Sequence, residues 1–251
     1  MTESKYGHPV EEELLDLILS KEERLRGNPQ AILAEIDEFG KKKRIMNVGP
    51  HKGEYLIAEV RKHKPNVIYE FGTHTGYSSI MMAAELEETR DENAKIHTFD
   101  MDEGFFKISE QIIALSGLSH RIYQHLGKVN EIVEKVSNDE GISRVDLVFL
   151  DHWKDSYISD LRLLETVGLV TKGTVVCADN VIIPGAPDYL EYVRSPPIWK
   201  RNYNQKTKNP VGSKYVGRWG LIYESTIHKA KTGGGDMDGL EVTKCVGILD
   251  G

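Results

Sequence analysis

Val67-Ile68-Tyr69-Glu70-Phe71-Gly72-Thr73-His74-Thr75-Gly76-Tyr77-Ser78 is the stretch on which the fold turns. A short apolar run, Val67–Tyr69, passes into an acid and then a loop with glycines four apart. Ser78–Leu86 follows with apolar residues at helical spacing. Strand, glycine loop and helix in that order make the first half of a βαβ unit. Moving outward, the unit repeats. Apolar runs recur at Ile96–Phe99, Ile122–Tyr123, Val145–Leu150 and Thr174–Ala178, about 25–30 residues apart. Helical patterns at Phe105–Leu115, Val129–Val136 and Tyr157–Leu164 fill the later gaps. Such a series predicts an α/β fold, with a doubly wound, mostly parallel sheet covered by helices on both faces.

The flanks differ. Residues 1–65 read as helical, with one helix over Pro9–Leu25, a second capped by Asn28 and ended by Gly40, and a third after Gly53. Together they are expected to form an N-terminal helical lid on a single domain spanning 1–251. Residues 196–214, with Pro196, Pro197 and Pro210, read as a long surface loop. Trp219–Tyr223 and Leu240–Val246 read as strands joined across Gly233-Gly234-Gly235, an antiparallel hairpin on the sheet edge.

Composition narrows the function. Charged residues make up 28% and the net charge is -7, which argues against non-specific binding to nucleic acid or an anionic membrane surface. No run approaches the length of a membrane-spanning helix. Two cysteines, Cys177 and Cys245, exclude a disulfide framework and a Cys-rich zinc site. The acids in the first twenty residues do not fit a secretory signal, so a cytoplasmic protein is expected.

In a doubly wound sheet the ligands sit at the carboxyl ends of the strands. Here those ends carry Glu70 with Gly72 and Gly76, then Asp100-Met101, Asp151-His152-Trp153-Lys154, and Asp179-Asn180. The glycines let the backbone turn sharply and approach a ligand. Their G-x-x-x-G spacing is not the dinucleotide fingerprint, which argues against a nicotinamide-dependent dehydrogenase. Glu70 would oppose a phosphate and suits a cationic group, while Asp100 can accept the hydroxyls of a ribose. The pair points to a nucleoside bearing a cation, as S-adenosylmethionine does. Asp179-Asn180 alone reads as a turn pair. Coupled to Asp151 across the sheet end, the three hard oxygen ligands favour Mg²⁺. Lys154, three residues past Asp151, can serve as a general base if partly desolvated, although most lysines are surface residues.

These residues also carry a resemblance. Met46-Asn47-Val48-Gly49 with Lys52-Gly53, Glu70-x-Gly72-x-x-x-Gly76-Tyr77-Ser78, Asp151-His152-Trp153-Lys154-Asp155, Ala178-Asp179-Asn180-Val181 and Asp238-Gly239-Leu240-Glu241 resemble the catechol O-methyltransferase family. The resemblance implies a class I methyltransferase (Rossmann-like) fold, with a seven-stranded sheet whose last strand is antiparallel. It implies S-adenosylmethionine near Val48, Glu70, Gly72, Ser78, Asp100, Met101, Val129 and Asp151. It implies Mg²⁺ on Asp151, Asp179 and Asn180, with Lys154 as catalytic base. The catechol would meet Lys154, Asn180, Trp153, Pro184 and Met46, the last three walling a dry pocket. Arg44 stands where the family usually has Trp, so a carboxylated or more polar ring is expected. For the family's last substrate contact, a glutamate, Glu224 is preferred to Glu241. A related diol methyltransferase and a catalytically dead binding protein are the rival readings. A monomer is expected, with a dimer as the alternative.

Overall fold

The computed structural model describes residues 5–89 and 93–249. Seven strands form one sheet: β1 (Val67–Phe71), β2 (Lys95–Asp100), β3 (Ile122–Leu126), β4 (Leu147–Leu150), β5 (Val175–Ala178), β6 (Leu221–Lys231) and β7 (Met237–Ile248). Their spatial order is β3-β2-β1-β4-β5-β7-β6. The first five run parallel, and β7 pairs antiparallel with both β5 and β6. This is the mostly parallel, doubly wound sheet with an antiparallel last strand that the sequence predicts. The order reverses between β1 and β4, where such sheets bind ligands.

β4 and β5 are buried throughout, as Leu147-Val148-Phe149-Leu150 and Val175-Val176-Cys177-Ala178 require on a sheet covered on both sides. Their odd and even residues feed two hydrophobic cores. Leu147, Phe149, Val175 and Cys177 join one with Ile80, Ile112 and Leu56, while Val148, Leu150, Val176 and Ala178 join the other with Leu161, Leu164 and Tyr189.

The helices are α1 (Pro9–Leu19), α2 (Glu22–Leu25), α3 (Pro29–Gly40), α4 (Gly49–His63), α5 (Tyr77–Thr89), α6 (Glu103–Ser116), α7 (Val129–Asp139), α8 (Tyr157–Thr166), α9 (Pro187–Arg194) and α10 (Pro197–Lys206). The expected single helix over Pro9–Leu25 is two, because the chain leaves the helix at Ser20-Lys21 and restarts at Glu22. The helix expected after Gly53 begins four residues earlier, at Gly49. The N-terminal helices pack as an outer layer, α1 on α6, α3 and α4 on α5, and α4 also on the hairpin. The expected loop over 196–214 contains α10, which starts at a proline whose missing N–H has no partner to lose in a first turn. β6 begins inside its expected limit, at Leu221, but runs on to Lys231, β7 extends past both of its limits, and the two meet across a turn closed by Thr232 N–H to Asp236 O at 2.8 Å.

Candidate active site

Every loop that leaves the carboxyl end of β1, β2, β4 or β5 is tied to its neighbour. Asp100, ending β2, accepts the backbone N–H of Thr73 (3.1 Å) and His74 (2.9 Å) on Oδ2, and that of Asp102 (3.0 Å) on Oδ1. It thereby fixes the glycine loop after β1. Gly72 sits at φ +101°, and a Cβ there would lie 2.5 Å from the Asp151 carbonyl oxygen. Glycine is needed because the loops after β1 and β4 touch. Glu70 is wholly buried, and the Ser79 hydroxyl donates to its Oε2. Burial pushes its carboxyl up to about 7, against the pull of the Ser78, Ser79 and Thr98 hydroxyls. Val48 and Ser78 are buried at the starts of α4 and α5, and Val129 opens α7.

Leu150 and Ala178 are register partners, so Asp151 and Asp179 leave adjacent strands side by side. Asp179 is 1% exposed, and burial next to Asp151 raises its carboxyl well above the usual carboxylate range. Lys52 Nζ lies 2.6 Å from Asp179 Oδ1, while Asp179 Oδ2 is buried with no hydrogen-bond partner among the described residues. Asn180 follows at φ +57°, in the left-handed region. Lys154 Nζ lies 3.2 Å from Asp151 Oδ1 and donates to the Tyr157 hydroxyl at 2.7 Å. That hydroxyl in turn reaches the carbonyls of Leu150 (2.7 Å) and Asp179 (3.0 Å), bridging the two strand ends. His152 is braced by Asp160 at 2.8 Å and stacks on Tyr157.

Among the described residues, most of the buried polar atoms without a hydrogen-bond partner are on the strand-end segments, at Glu70 Oε1, His74 Nδ1, Thr75 Oγ1, His152 Nδ1 and Asp179 Oδ2, while His63, Tyr189 and Asn204 hold others elsewhere. Folded proteins satisfy almost all such atoms, so a concentration of exceptions marks where a ligand supplies the missing bonds. The family model described as O-methyltransferase matches residues 24–194. The chain belongs to the O-methyltransferase family.

Among its relatives, zebrafish (Danio rerio) catechol O-methyltransferase B is 39% identical over 184 residues, 73% of this chain and 68% of that protein. Mouse (Mus musculus) catechol O-methyltransferase is 38% identical over 169 residues, 67% of this chain and 62% of its own length. Among solved structures, the O-methyltransferase from Bacillus cereus in complex with SAH superposes with a TM-score of 0.59 at 18% identity, covering 94% of this chain and 99% of that one. That likeness concerns the fold.

For an O-methyltransferase site the acceptor set suits a hard divalent cation. It offers two carboxylates and an amide at one sheet end, one carboxylate oxygen being orphaned. Among the described residues no group of three His, Cys, Asp or Glu side chains gathers to hold a metal.

Two expectations change. Trp153 (75% exposed), Met46, Met101 and Pro184 stand open to solvent, so the expected dry pocket is not closed in this structure. Glu224 lies exposed in mid-β6 opposite Lys244, which itself pairs with Val175 at the amino end of β5. Because β6 runs toward the site, Ala230, opposite Asp238, is the β6 position level with it. Glu241 is also committed, bound twice at 2.7 Å by Arg194. Sequence reasoning assigns no role to Lys52, Asp238 or Tyr157, although Lys52 and Asp238 fall within stretches that carry the family resemblance.

Proposed function

We propose that the chain transfers a methyl group from S-adenosylmethionine to one hydroxyl of a catechol in a Mg²⁺-dependent reaction, with Lys154 as general base. The observation that carries this reading is the placement of Asp151, Asp179 and Asn180 on adjacent strand ends with Lys154 Nζ 3.2 Å from Asp151. The catechol O-methyltransferase names of its relatives support it.

Asp151, Asp179 and Asn180 would hold the ion. Val48, Glu70, Gly72, Ser78, Asp100, Met101 and Val129, with Asp151, would surround the cofactor. When bound, Mg²⁺ supplies a Lewis acid that favours the ionised diol, and S-adenosylmethionine supplies the electrophilic methyl. Lys154, acting as the neutral amine, takes the proton of the attacking hydroxyl at Nζ and becomes the ammonium, held in place by Asp151 and Tyr157. General-base help of this kind contributes ~10²–10⁴ in rate. The braced loops after β1 and β4 fix donor against acceptor, and such positioning is worth up to ~7–11 kcal/mol in model systems. Trp153, Met46 and Pro184 offer apolar surface to the ring, while Arg44 on the same loop as Met46 favours an acidic substituent.

Incubation with S-adenosylmethionine and a panel of catechols, read by mass spectrometry, tests the reading. Monomethylated product is expected, abolished by EDTA and restored by MgCl₂, with carboxylated catechols preferred. Product formation indifferent to EDTA would remove the metal from the mechanism. Failure to methylate any diol would remove the substrate class.

A further inference from the structure

Asp238 is wholly buried on β7, yet no step above uses it. It has a complete set of donors. Its Oδ1 accepts the backbone N–H of Ile182 (3.3 Å), Ile183 (2.9 Å) and Gly239 (2.7 Å). Its Oδ2 accepts Lys52 Nζ (2.6 Å) and Asn180 Nδ2 (2.8 Å). Five donors around one buried side chain admit only an acceptor, so this carboxylate decides how the neighbouring amide must lie. Asn180 has to present Nδ2 to Asp238, which leaves its carbonyl oxygen for something else. Lys52 bridges Asp238 to Asp179 Oδ1 at 2.6 Å, and thus leaves Asp179 Oδ2 as the free oxygen.

We propose that Asp238, with Lys52, is a positioning residue that turns the Asn180 carbonyl and one Asp179 oxygen outward to receive the divalent cation. The proposal rests on the metal reading above. Outer partners of this kind fix the orientation of ligating groups, and their loss costs ~10–100-fold in metal affinity.

The geometry makes a directional prediction. In Asp238→Asn the three backbone N–H groups keep an oxygen on the Oδ1 side, so the new NH₂ faces both the Asn180 amide and Lys52 Nζ. The Asn180 amide must then flip and offer its oxygen inward. Adding Asn180→Asp in the same chain corrects this, because one oxygen of the new carboxylate can accept from that NH₂ while the other faces the cation. Asn180→Asp alone sets two carboxylates against each other and should bind worse than the double variant.

The measurement is Mn²⁺ binding by electron paramagnetic resonance, on the full chain with S-adenosylmethionine present. Asp238→Asn should bind ~10–100-fold more weakly, and the Asn180→Asp/Asp238→Asn double variant should recover part of that loss, the Lys52 contact to position 238 remaining broken. Binding that depends on Asp179 but is unchanged in Asp238→Asn would overturn the proposal alone, as would a double variant no better than either single one. Absence of Mn²⁺ binding in the wild type, or binding that survives Asp179→Asn, would overturn the metal reading and this proposal together. Should Asp238→Asn fail to fold, side-chain amide exchange by NMR on the metal-free wild type decides. The Asn180 NH₂ should be protected by its bond to Asp238, and free exchange would refute the assignment.

Discussion

Two buried polar clusters lie on this sheet, and they are built to opposite rules. Under α10, Glu165 accepts from Tyr192 (2.8 Å), Tyr223 (2.6 Å) and the Arg218 backbone (3.0 Å). Beside it Arg162 donates to the carbonyls of Val216 (3.1 Å) and Thr207 (3.0 Å), and Lys200 donates to that of Leu221. Both oxygens of Glu165 are spoken for, although the neighbouring Asn204 amide oxygen is buried without a partner among the described residues, and the cluster pins residues 197–217 to the body of the protein. Past the end of β5 Asp179 is as deeply buried, but it keeps an oxygen with no donor among the described residues. A carboxylate with all its donors in place rigidifies the fold around it. An open one stores an unmet demand that a ligand can satisfy.

The contrast can be tested by asking each cluster for stability and for activity. The largest effect is expected for Lys154→Ala, whose kcat should fall ~10²–10⁴-fold while calorimetry finds S-adenosylmethionine affinity unchanged. Near-normal turnover would reassign the base. Next comes Glu165→Ala, which leaves two tyrosine hydroxyls and a backbone N–H without an acceptor and Lys200 without its counter-charge. Breaking a buried network this way costs about 3–5 kcal/mol, read by urea unfolding, with turnover per folded molecule retained. An activity loss without a stability loss would place Glu165 in the wrong cluster.

A third buried group, His97, sharpens the comparison by pH. It is 1% exposed, lies 3.0 Å from His125 Nε2, and burial pushes its pKa down to about 4. Below pH ~6.5 the unfolded chain binds a proton that the folded chain refuses. This contribution is therefore absent above pH ~6.5, and destabilisation grows as pH falls toward 4, reaching of order 1–3 kcal/mol. His97→Phe should flatten the acid limb of a stability–pH curve, and an unchanged limb would exclude His97 as its source. The smallest effect on stability is expected for Asp179→Asn. Removing an underbonded carboxylate should alter metal-free stability by less than about 1 kcal/mol, while the stabilisation conferred by MgCl₂ disappears. A loss as large as that of Glu165→Ala would mean that the open cluster is structural after all.

Much of this is legible in the sequence where the information is local. Apolar runs at a regular interval give the parallel strands, and an acid or amide just past a run must fall at a strand end. Asp151, Asp179 and Asn180 can thus be found without any long-range knowledge. The same locality explains the misses. Pro196-Pro197 reads as a break, although a proline is as much at home in the first turn of α10 as Pro29 is in that of α3. Nearness to an apolar run favours Glu224, but strand register is set by the partner strand, and a shift along β6 moves a residue to the other end of the sheet. Lys52 and Asp238 are 186 positions apart. No spacing rule links them. Only the antiparallel return of β7 beside β5 brings the acid to the lysine.

Contact between the loop after β1 and the loop after β4, where Gly72 lies against the Asp151 carbonyl, has a consequence for how such a site can change. The two segments are mechanically one part. A bulkier residue in the first would lever the second away from its strand, so donor and acceptor preferences cannot be retuned independently. Any graft of a new specificity onto this scaffold has to carry both loops across together.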